Sequence, residues 1–534
     1  MVSSELSGGS GLSYGGAHWV DHVARHAHDR PDADAIRFEG ERISWATLHE
    51  RVGRLAAGLA GLGVSSGDRV LMLMSNRPEF VEIALAVNAV RAIAVPVNFR
   101  LAPDEVSYIL RDSGATLIVT DSALAPLAAA ACSGVGAGAG VGAGSGAGAG
   151  AAVPIVVAGT SSYQALLDSP EPPPAVAVDE SDVALIMYTS GTTGRPKGAM
   201  LTHLNLLMQS ITAIRVSRLH DDDHVTLLNV PLFHIAGIAN IPTSMLIGGT
   251  VVIMASGAFE AGRTLEVIES EGVTNVFLVP AQWQLLCAHP DATRRTRSLR
   301  TIMWGAAPAT VTLLETMNAT FPGVQIVSVF GQTEMSPVTT SLPGKDAIAK
   351  IGSVGKPVPT ISARIVDEQM NDVRPGEVGE IIYRGPTLMA GYWNNPEATA
   401  RAFAGGWFHS GDLVRADEEG FLYVVDRKKD MIISGGENIY CAEVENVLSA
   451  HPAVADIAII GGKHERWGET PVAVVVPADR GAPPSLADLA AWSSGKLASY
   501  KRPTRIVIAD QLPRNAAGKV LKNELRTRYG DTAI

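Results

Sequence analysis

Short β-rich apolar runs alternating with helical stretches recur along most of this chain, and they restrict it to a layered α/β design. Arg69-Val-Leu-Met-Leu-Met74, the stretch Phe80 to Val90, and Thr116-Leu-Ile-Val-Thr120 predict strand, helix and strand. Further buried strands are predicted at Asn275-Val-Phe-Leu-Val279, Thr301-Ile-Met-Trp304 and Val324-Gln-Ile-Val-Ser-Val-Phe330, each ending at a Gly or Pro turn. Ligands of open α/β sheets sit at such strand ends. At 534 residues the chain is too long for one core. After Gly376 shorter β segments separated by glycines predict a barrel-like subdomain. Past Arg427 a different unit is expected, with a helix over Cys441 to Ala450, strands over Ala455 to Ile460 and Pro471 to Val476, and a last helix from Lys519. The fold expected is therefore α/β: a large N-terminal domain, 1–428, of doubly wound α/β subdomains plus the barrel-like part, and a small α+β C-terminal domain, 429–534.

Charge narrows the partners. The net charge of −11 gives no general attraction to nucleic acid or to anionic membrane. From Lys428 onward 14 Lys and Arg stand against 12 Asp and Glu, an excess of +2, which leaves −13 on residues 1–427. Val225 to Phe259 holds no charged side chain over 35 residues, but Asn229, Pro231, His234, Asn240, Pro242 and Gly248-Gly249 divide it, so a buried helix and strand are expected, not a membrane span. Membrane contact around Ile238 to Ile253 stays open. Cys132, Cys287 and Cys441 share no metal-ligand spacing and read as reduced thiols. Met1 to Gly16 has neither the basic start nor the apolar core of a secretory signal, so a cytoplasmic location is expected. Gly134 to Ala152, almost all Gly, Ala and Val, reads as a surface insert, and Glu171-Pro-Pro-Pro174 as a linker.

Tyr188-Thr-Ser-Gly-Thr-Thr-Gly-Arg-Pro-Lys-Gly198 reads as a grip on phosphate. Its glycines and proline keep Gly191 to Gly198 out of helix or strand and leave backbone N–H groups to face an anion. Ser190, Thr192 and Thr193 supply hydroxyls, Gly191 and Gly194 are the glycines within the loop, and Lys197 adds a point charge. Val183 to Tyr188 predicts a strand before this loop and His203 onward a helix after it, a strand–loop–helix context. The P-loop spacing fails, because the residue five on from Gly191 is Pro196.

More motifs follow in order: Pro231-Leu-Phe-His-Ile-Ala-Gly237, Gly305-Ala-Ala-Pro308, Val329-Phe-Gly-Gln-Thr-Glu334, His409-Ser-Gly-Asp-Leu413, Asp426-Arg-Lys-Lys-Asp430, Ile433-Ser-Gly-Gly-Glu-Asn438 and Pro513-Arg-Asn-Ala-Ala-Gly-Lys519. The set resembles the acyl-adenylate-forming superfamily of acyl-CoA synthetases, carrier-protein adenylation domains and firefly luciferase, across essentially the whole chain. Around Phe330 to Pro337 and Gly435 to Glu445 it looks most like actinobacterial fatty-acyl-CoA synthetases. The resemblance implies an ATP-dependent ligase that makes acyl-AMP and pyrophosphate from a carboxylic acid, then passes the acyl group to coenzyme A.

The same resemblance implies roles. Glu334 would hold Mg²⁺, with Thr189 as a second contact, oxygen ligands suiting a hard ion. Thr333 would meet the α-phosphate. Gly305, Ala306, Ala307 and Pro308 would flank the adenine with Phe330, Gly331 and Gln332. Relatives mostly carry Tyr at Phe330 and often Gly at Ala306. Asp412 and Arg427 would hold the ribose, their plainer interpretation being a salt bridge to each other. Lys519 would drive adenylation once a mobile C-terminal domain closes, Lys429 would be the hinge, and Gly435, Gly436 and Glu437 would line the pantetheine path. His234 would border the carboxylate. Gly237, Pro280, Ala281, Trp283 and Met335 are weaker candidates for the acyl wall. Substrates and partners implied are a fatty acid or related carboxylic acid, ATP, Mg²⁺ and CoA; an aryl acid, a carrier-protein partner, a non-catalytic lipid-binding role and a homodimer remain alternatives.

Overall fold

The computed structural model describes residues 18–133, 153–169, 178–189, 196–219, 223–306, 309–428, 430–434, 437–465, 467–494, 496–514 and 519–530. The chain forms two compact units. One comprises Met1–Ile351, Pro357–Ser362 and Arg384–Phe403, the other Gly352–Lys356, Ala363–Tyr383 and Ala404–Ile534. Strands on both sides of Lys428 thus share the second unit. The predicted insert 134–152 and linker 171–174 lie outside the described residues.

The first unit contains two α/β sheets. One runs in the order Gly391–Tyr392, Lys197–Thr202, Val183–Thr189, Ile93–Pro96, Arg69–Leu73, Leu117–Asp121 and Ile155–Ala158. Its middle strands pair parallel, as expected for β-rich runs separated by helices. In the other, Gln325–Gly331, Thr301–Gly305, Asn275–Leu278, Val225–Leu228, Thr250–Ile253 and Asp34–Phe38 lie side by side and parallel, with antiparallel strands Val338–Pro343 and Glu41–Ser44 at either end. The predicted strands in residues 69–74, 116–120, 275–279, 301–304 and 324–330 all form, within a residue or two.

Burial explains why the intervening helices are so apolar. Helix Pro78–Ala89 starts with proline at N1 and is enclosed on all sides, so even Glu82 is fully buried. Its carboxylate is compensated by Arg51, at 2.7 and 2.9 Å, and by the Tyr163 hydroxyl at 2.6 Å. On the same helix Asn88 accepts the Trp19 indole N–H at 2.8 Å and donates to the carbonyls of Ala92 and Ala184. The uncharged stretch Val225 to Phe259 folds as strand Val225–Leu228, helices Ile235–Ile238 and Asn240–Ile247, and strand Thr250–Ile253. No helix among the described residues is long and apolar enough to cross a membrane.

The second unit carries the antiparallel strands Val378–Arg384, Phe408–Ala416, Leu422–Arg427 and Ser353–Pro357, with Ser362–Val366 next to the first. A further sheet holds the hairpin Val454–His464 and Gly468–Pro477; the other edge of Gly468–Pro477 pairs with Ile432–Ser434, itself paired with Glu437–Ile439, and further along with Arg505–Ile508. Helix Cys441–Leu448 packs its Val444 and Leu448 into the core of this sheet with Ile459, Val475 and Leu489.

Two expectations are corrected. The loop after Val183–Thr189 does not lead into a helix. It returns into strand Lys197–Thr202, antiparallel to the first and with Thr189 opposite Lys197, so Lys197 and Gly198 are strand residues. The helix His203–Ser217 begins only after that strand, capped by Thr202 and Asn205. Six strand residues span roughly 20 Å, so the helix N-terminus is too far from the loop to contribute its dipole there. The last helix begins at Lys522, not Lys519, because Val520 is taken up by a β-bridge to Arg514.

Candidate active site

The first unit gathers Thr189, Lys197 and Glu334. Glu334 lies in a single 3₁₀ turn, Thr333–Met335, after strand Gln325–Gly331, where the chain doubles back so that the Gln332 N–H meets the Pro337 carbonyl at 3.0 Å. Gly331 is needed for that reversal, since a Cβ would collide with the Pro337 carbonyl oxygen. The Glu334 carboxylate is buried, and its Oε1 accepts the Thr189 hydroxyl at 3.3 Å. Among the described residues Oε2 takes no hydrogen bond. The Tyr392 hydroxyl donates to the same Oε1 at 3.1 Å, and the Tyr392 ring lies 5.1 Å from Nζ of Lys197.

Tyr392 was not singled out from the sequence. It is 58 residues from Glu334, and only pairing of Gly391–Tyr392 with Lys197–Thr202 delivers it. The same pairing seats Trp393, whose N–H donates to the Gly198 carbonyl at 2.7 Å. Both ends of the hairpin loop are anchored from helix Pro103–Ser113. The Tyr188 hydroxyl donates to Asp112 at 2.6 Å, and the Tyr108 hydroxyl to the Pro196 carbonyl at 3.2 Å. Burial first, and the Asp112 carboxylate second, raise the Tyr188 phenol well above its ordinary pKa, so it stays a donor. Ser190, Gly191, Thr192, Thr193 and Gly194 lie outside the described residues.

Gly305 ends its strand opposite Val329, and a Cβ there would collide with the Val329 carbonyl oxygen. Ala306 is exposed with φ +64°, a left-handed conformation that glycine adopts more easily. Phe330 is half-buried, beside Gly331 and Gln332, and Thr333 is likewise partly exposed. Ala307 and Pro308 lie outside the described residues.

His234 precedes helix Ile235–Ile238, in a turn pinned by Asn76, which donates to the Val230 carbonyl and accepts the Leu232 N–H. Burial lowers the His234 pKa, so the ring is neutral at pH 7. Its ring stands 6.0 Å from Phe233, which meets Phe99 edge-on at 5.2 Å. Trp283, an acyl-wall candidate, is instead fully buried core, with its indole N–H on the Met303 carbonyl and its ring against Phe321. Met335 and Pro280 are buried as well.

In the second unit Asp412 and Arg427 face each other across adjacent strands, 2.5 Å apart at Oδ1 and Nε. Asp412 is buried and Arg427 one-third exposed. The turn before Asp412 is organised by Glu380, also missed from the sequence. Glu380 accepts from the Gly411 N–H at 3.0 Å, contacts His409 at 3.1 Å and pairs with Lys428 at 3.2 Å. Burial pushes the Glu380 pKa up, but the His409 hydrogen bond, the Lys428 charge and the Gly411 N–H outweigh it and hold the carboxyl below its usual range. Glu437 and Lys519 are exposed. Lys429, Gly435 and Gly436 lie outside the described residues.

The donor set suits a hard cation and a nucleotide. A buried carboxylate with one oxygen left by its hydroxyl donors, beside a threonine hydroxyl and a lysine, matches Mg²⁺ bound to phosphates.

Comparison with known proteins gives the family. Residues 23–393 match the AMP-binding enzyme family, and residues 443–519 match the AMP-binding enzyme C-terminal domain. A feruloyl-CoA synthase from an Amycolatopsis species is 42% identical over 509 residues, 95% of this chain and 98% of that protein. An indoleacetate–CoA ligase of Aromatoleum aromaticum is 37% identical over 513 residues, 96% of this chain and 97% of that one. The o-succinylbenzoate CoA synthetase of Bacillus subtilis, solved with an acyl-adenylate, superposes with a TM-score of 0.82 at 31% identity, covering 95% of this chain and 97% of that chain. Ligases named for fatty acids also appear, at 33% and 31% identity.

Proposed function

This chain belongs to the AMP-binding enzyme family and is an AMP-forming acyl-CoA synthetase, and from that premise we propose that its acid substrate carries an aromatic ring. The observation that carries the choice of acid is the higher identity to ligases named for feruloyl and indoleacetyl acids than to those named for fatty acids. The fatty-acyl preference expected from Phe330 to Pro337 and Gly435 to Glu445 is therefore replaced by the aryl alternative.

Each residue takes a role that its surroundings support. Thr189 and Lys197 sit at the two ends of the hairpin loop and meet the phosphates of ATP, the ammonium offsetting charge as the carboxylate approaches the α-phosphorus. Glu334, with Thr189, would hold Mg²⁺, which when bound would supply positive charge against the phosphates of ATP. Gly305 and Ala306 give the adenine room, Phe330 offers it a face, and Asp412 with Arg427 holds the ribose. His234, neutral, borders the substrate carboxylate without adding charge. Lys519 reaches the α-phosphate in the adenylating conformation, and the CoA thiol later attacks the acyl carbon, expelling AMP.

The test is a comparison of kcat/KM for hydroxycinnamate-type, indole-bearing and straight-chain acids. Ring-bearing acids are expected to win by at least tenfold; a straight-chain preference of that size would restore the fatty-acyl assignment.

A further inference from the structure

We infer that Tyr392 is a positioning residue for the metal-binding carboxylate, its hydroxyl fixing the rotation of Glu334 so that Oε2 is presented to the cation. The inference rests on Glu334 being the cation ligand.

A glutamate carboxyl turns easily about its last torsion, because that rotation is broad and roughly two-fold. Two hydroxyls on one oxygen stop it. Tyr392, at 3.1 Å, and Thr189, at 3.3 Å, both donate to Oε1, and among the described residues none donates to Oε2. The backbones that carry these groups are tied to each other as well. The Met389 N–H donates to the Glu334 carbonyl at 2.9 Å, and Asn205 holds the carbonyls of Pro386 and Leu388 at 2.8 and 3.0 Å. Pairing of Tyr392 with Ala199 fixes the backbone from which the hydroxyl projects.

The ring has a separate duty, lying 5.1 Å from the Lys197 ammonium. One side chain thus sets the orientation of the carboxylate through its hydroxyl and supports the loop lysine through its face. Phenylalanine would keep the second function and lose the first.

The experiment measures Mn²⁺ affinity in the presence of ATP by electron paramagnetic resonance, using the purified full chain with Tyr392→Phe, Thr189→Val and Glu334→Gln. Tyr392→Phe is expected to weaken Mn²⁺ binding about tenfold, the worth of one hydrogen bond to a charged group, while metal-free ATP affinity is unchanged. The Mg²⁺ concentration for half-maximal rate should rise by the same factor, with kcat at saturating Mg²⁺ changing less. Thr189→Val should weaken Mn²⁺ binding comparably, an independent check should Tyr392→Phe fold poorly. Unchanged Mn²⁺ affinity in Tyr392→Phe alongside a large loss in Glu334→Gln overturns the role of Tyr392 and leaves Glu334 in place. Unchanged affinity in Glu334→Gln overturns both.

Discussion

Asp412 is buried in one strand and Arg427 stands opposite it in the next, with Nε and Oδ1 2.5 Å apart. The pair makes the plainer salt bridge and leaves the ribose role compatible with it, since Arg427 is one-third exposed and retains further donors. Arg427→Ala should remove the charge that faces the buried Asp412 carboxylate and cost about 2 kcal/mol, less than for a fully buried pair. Chemical denaturation reads the loss, and AMP titration should show weaker binding; unchanged stability would mean solvent already carries the charge.

Gly305→Ala should weaken nucleotide binding and stability together. The added methyl collides with the Val329 carbonyl of the neighbouring strand, an overpacking that costs about 1–3 kcal/mol. Calorimetry of AMP binding and denaturant midpoints check both effects.

Ala306→Gly should do the reverse for stability. The backbone at φ +64° strains alanine, and relief of that strain, reduced by the entropy of glycine, is worth about 0.5 kcal/mol. A raised denaturation midpoint with unchanged adenylation is the expected outcome.

Lys519→Ala should retain ATP binding and lose acyl-AMP formation by about 10²-fold or more, the scale of one lost charge-stabilising donor. Pyrophosphate release in single turnover is the measurement, and full activity would remove Lys519 from the mechanism.

Acid should destabilise the first unit through its buried histidines, an effect opposed in part by Asp21, whose carboxyl burial raises to about 6. Burial drives the imidazoles of His22, His203 and His224 down to about 4. The unfolded chain takes up protons below its ordinary histidine pKa of about 6.5, while the folded chain refuses them until about 4, so stability falls with pH across that window. Each histidine contributes up to about 1.4 kcal/mol per pH unit there. Denaturation midpoints between pH 7 and pH 4 should fall steadily, and a flat profile would show that these rings are solvated.

The sheets were legible because parallel, doubly covered strands are continuous apolar runs, as in residues 69–74 and 301–304. The hairpin after Thr189 was not, because Lys197–Thr202 is short and opens on residues read as loop from their glycines and proline, while the helix that follows does begin at His203 as expected. The hairpin Val454–His464 with Gly468–Pro477 is longer than the apolar pattern, extended by pairing of Gly461, Gly462 and Lys463 that no hydrophobic period records. Motif residues such as Glu334 and Asp412 could be named from their local text. Tyr392 and Glu380 could not, since their value comes from partners 58 and about 30 residues away that only the folded strands bring close.

Oxygen transfer tests the central claim most directly. With a ring-bearing acid labelled with ¹⁸O in both carboxyl oxygens, plus Mg-ATP and CoA, attack on the α-phosphorus followed by thiol displacement leaves one ¹⁸O in AMP and none in pyrophosphate. CoA-dependent thioester with singly labelled AMP is the predicted result. Thioester formed with unlabelled AMP, or with label in released phosphate, would contradict an acyl-adenylate route.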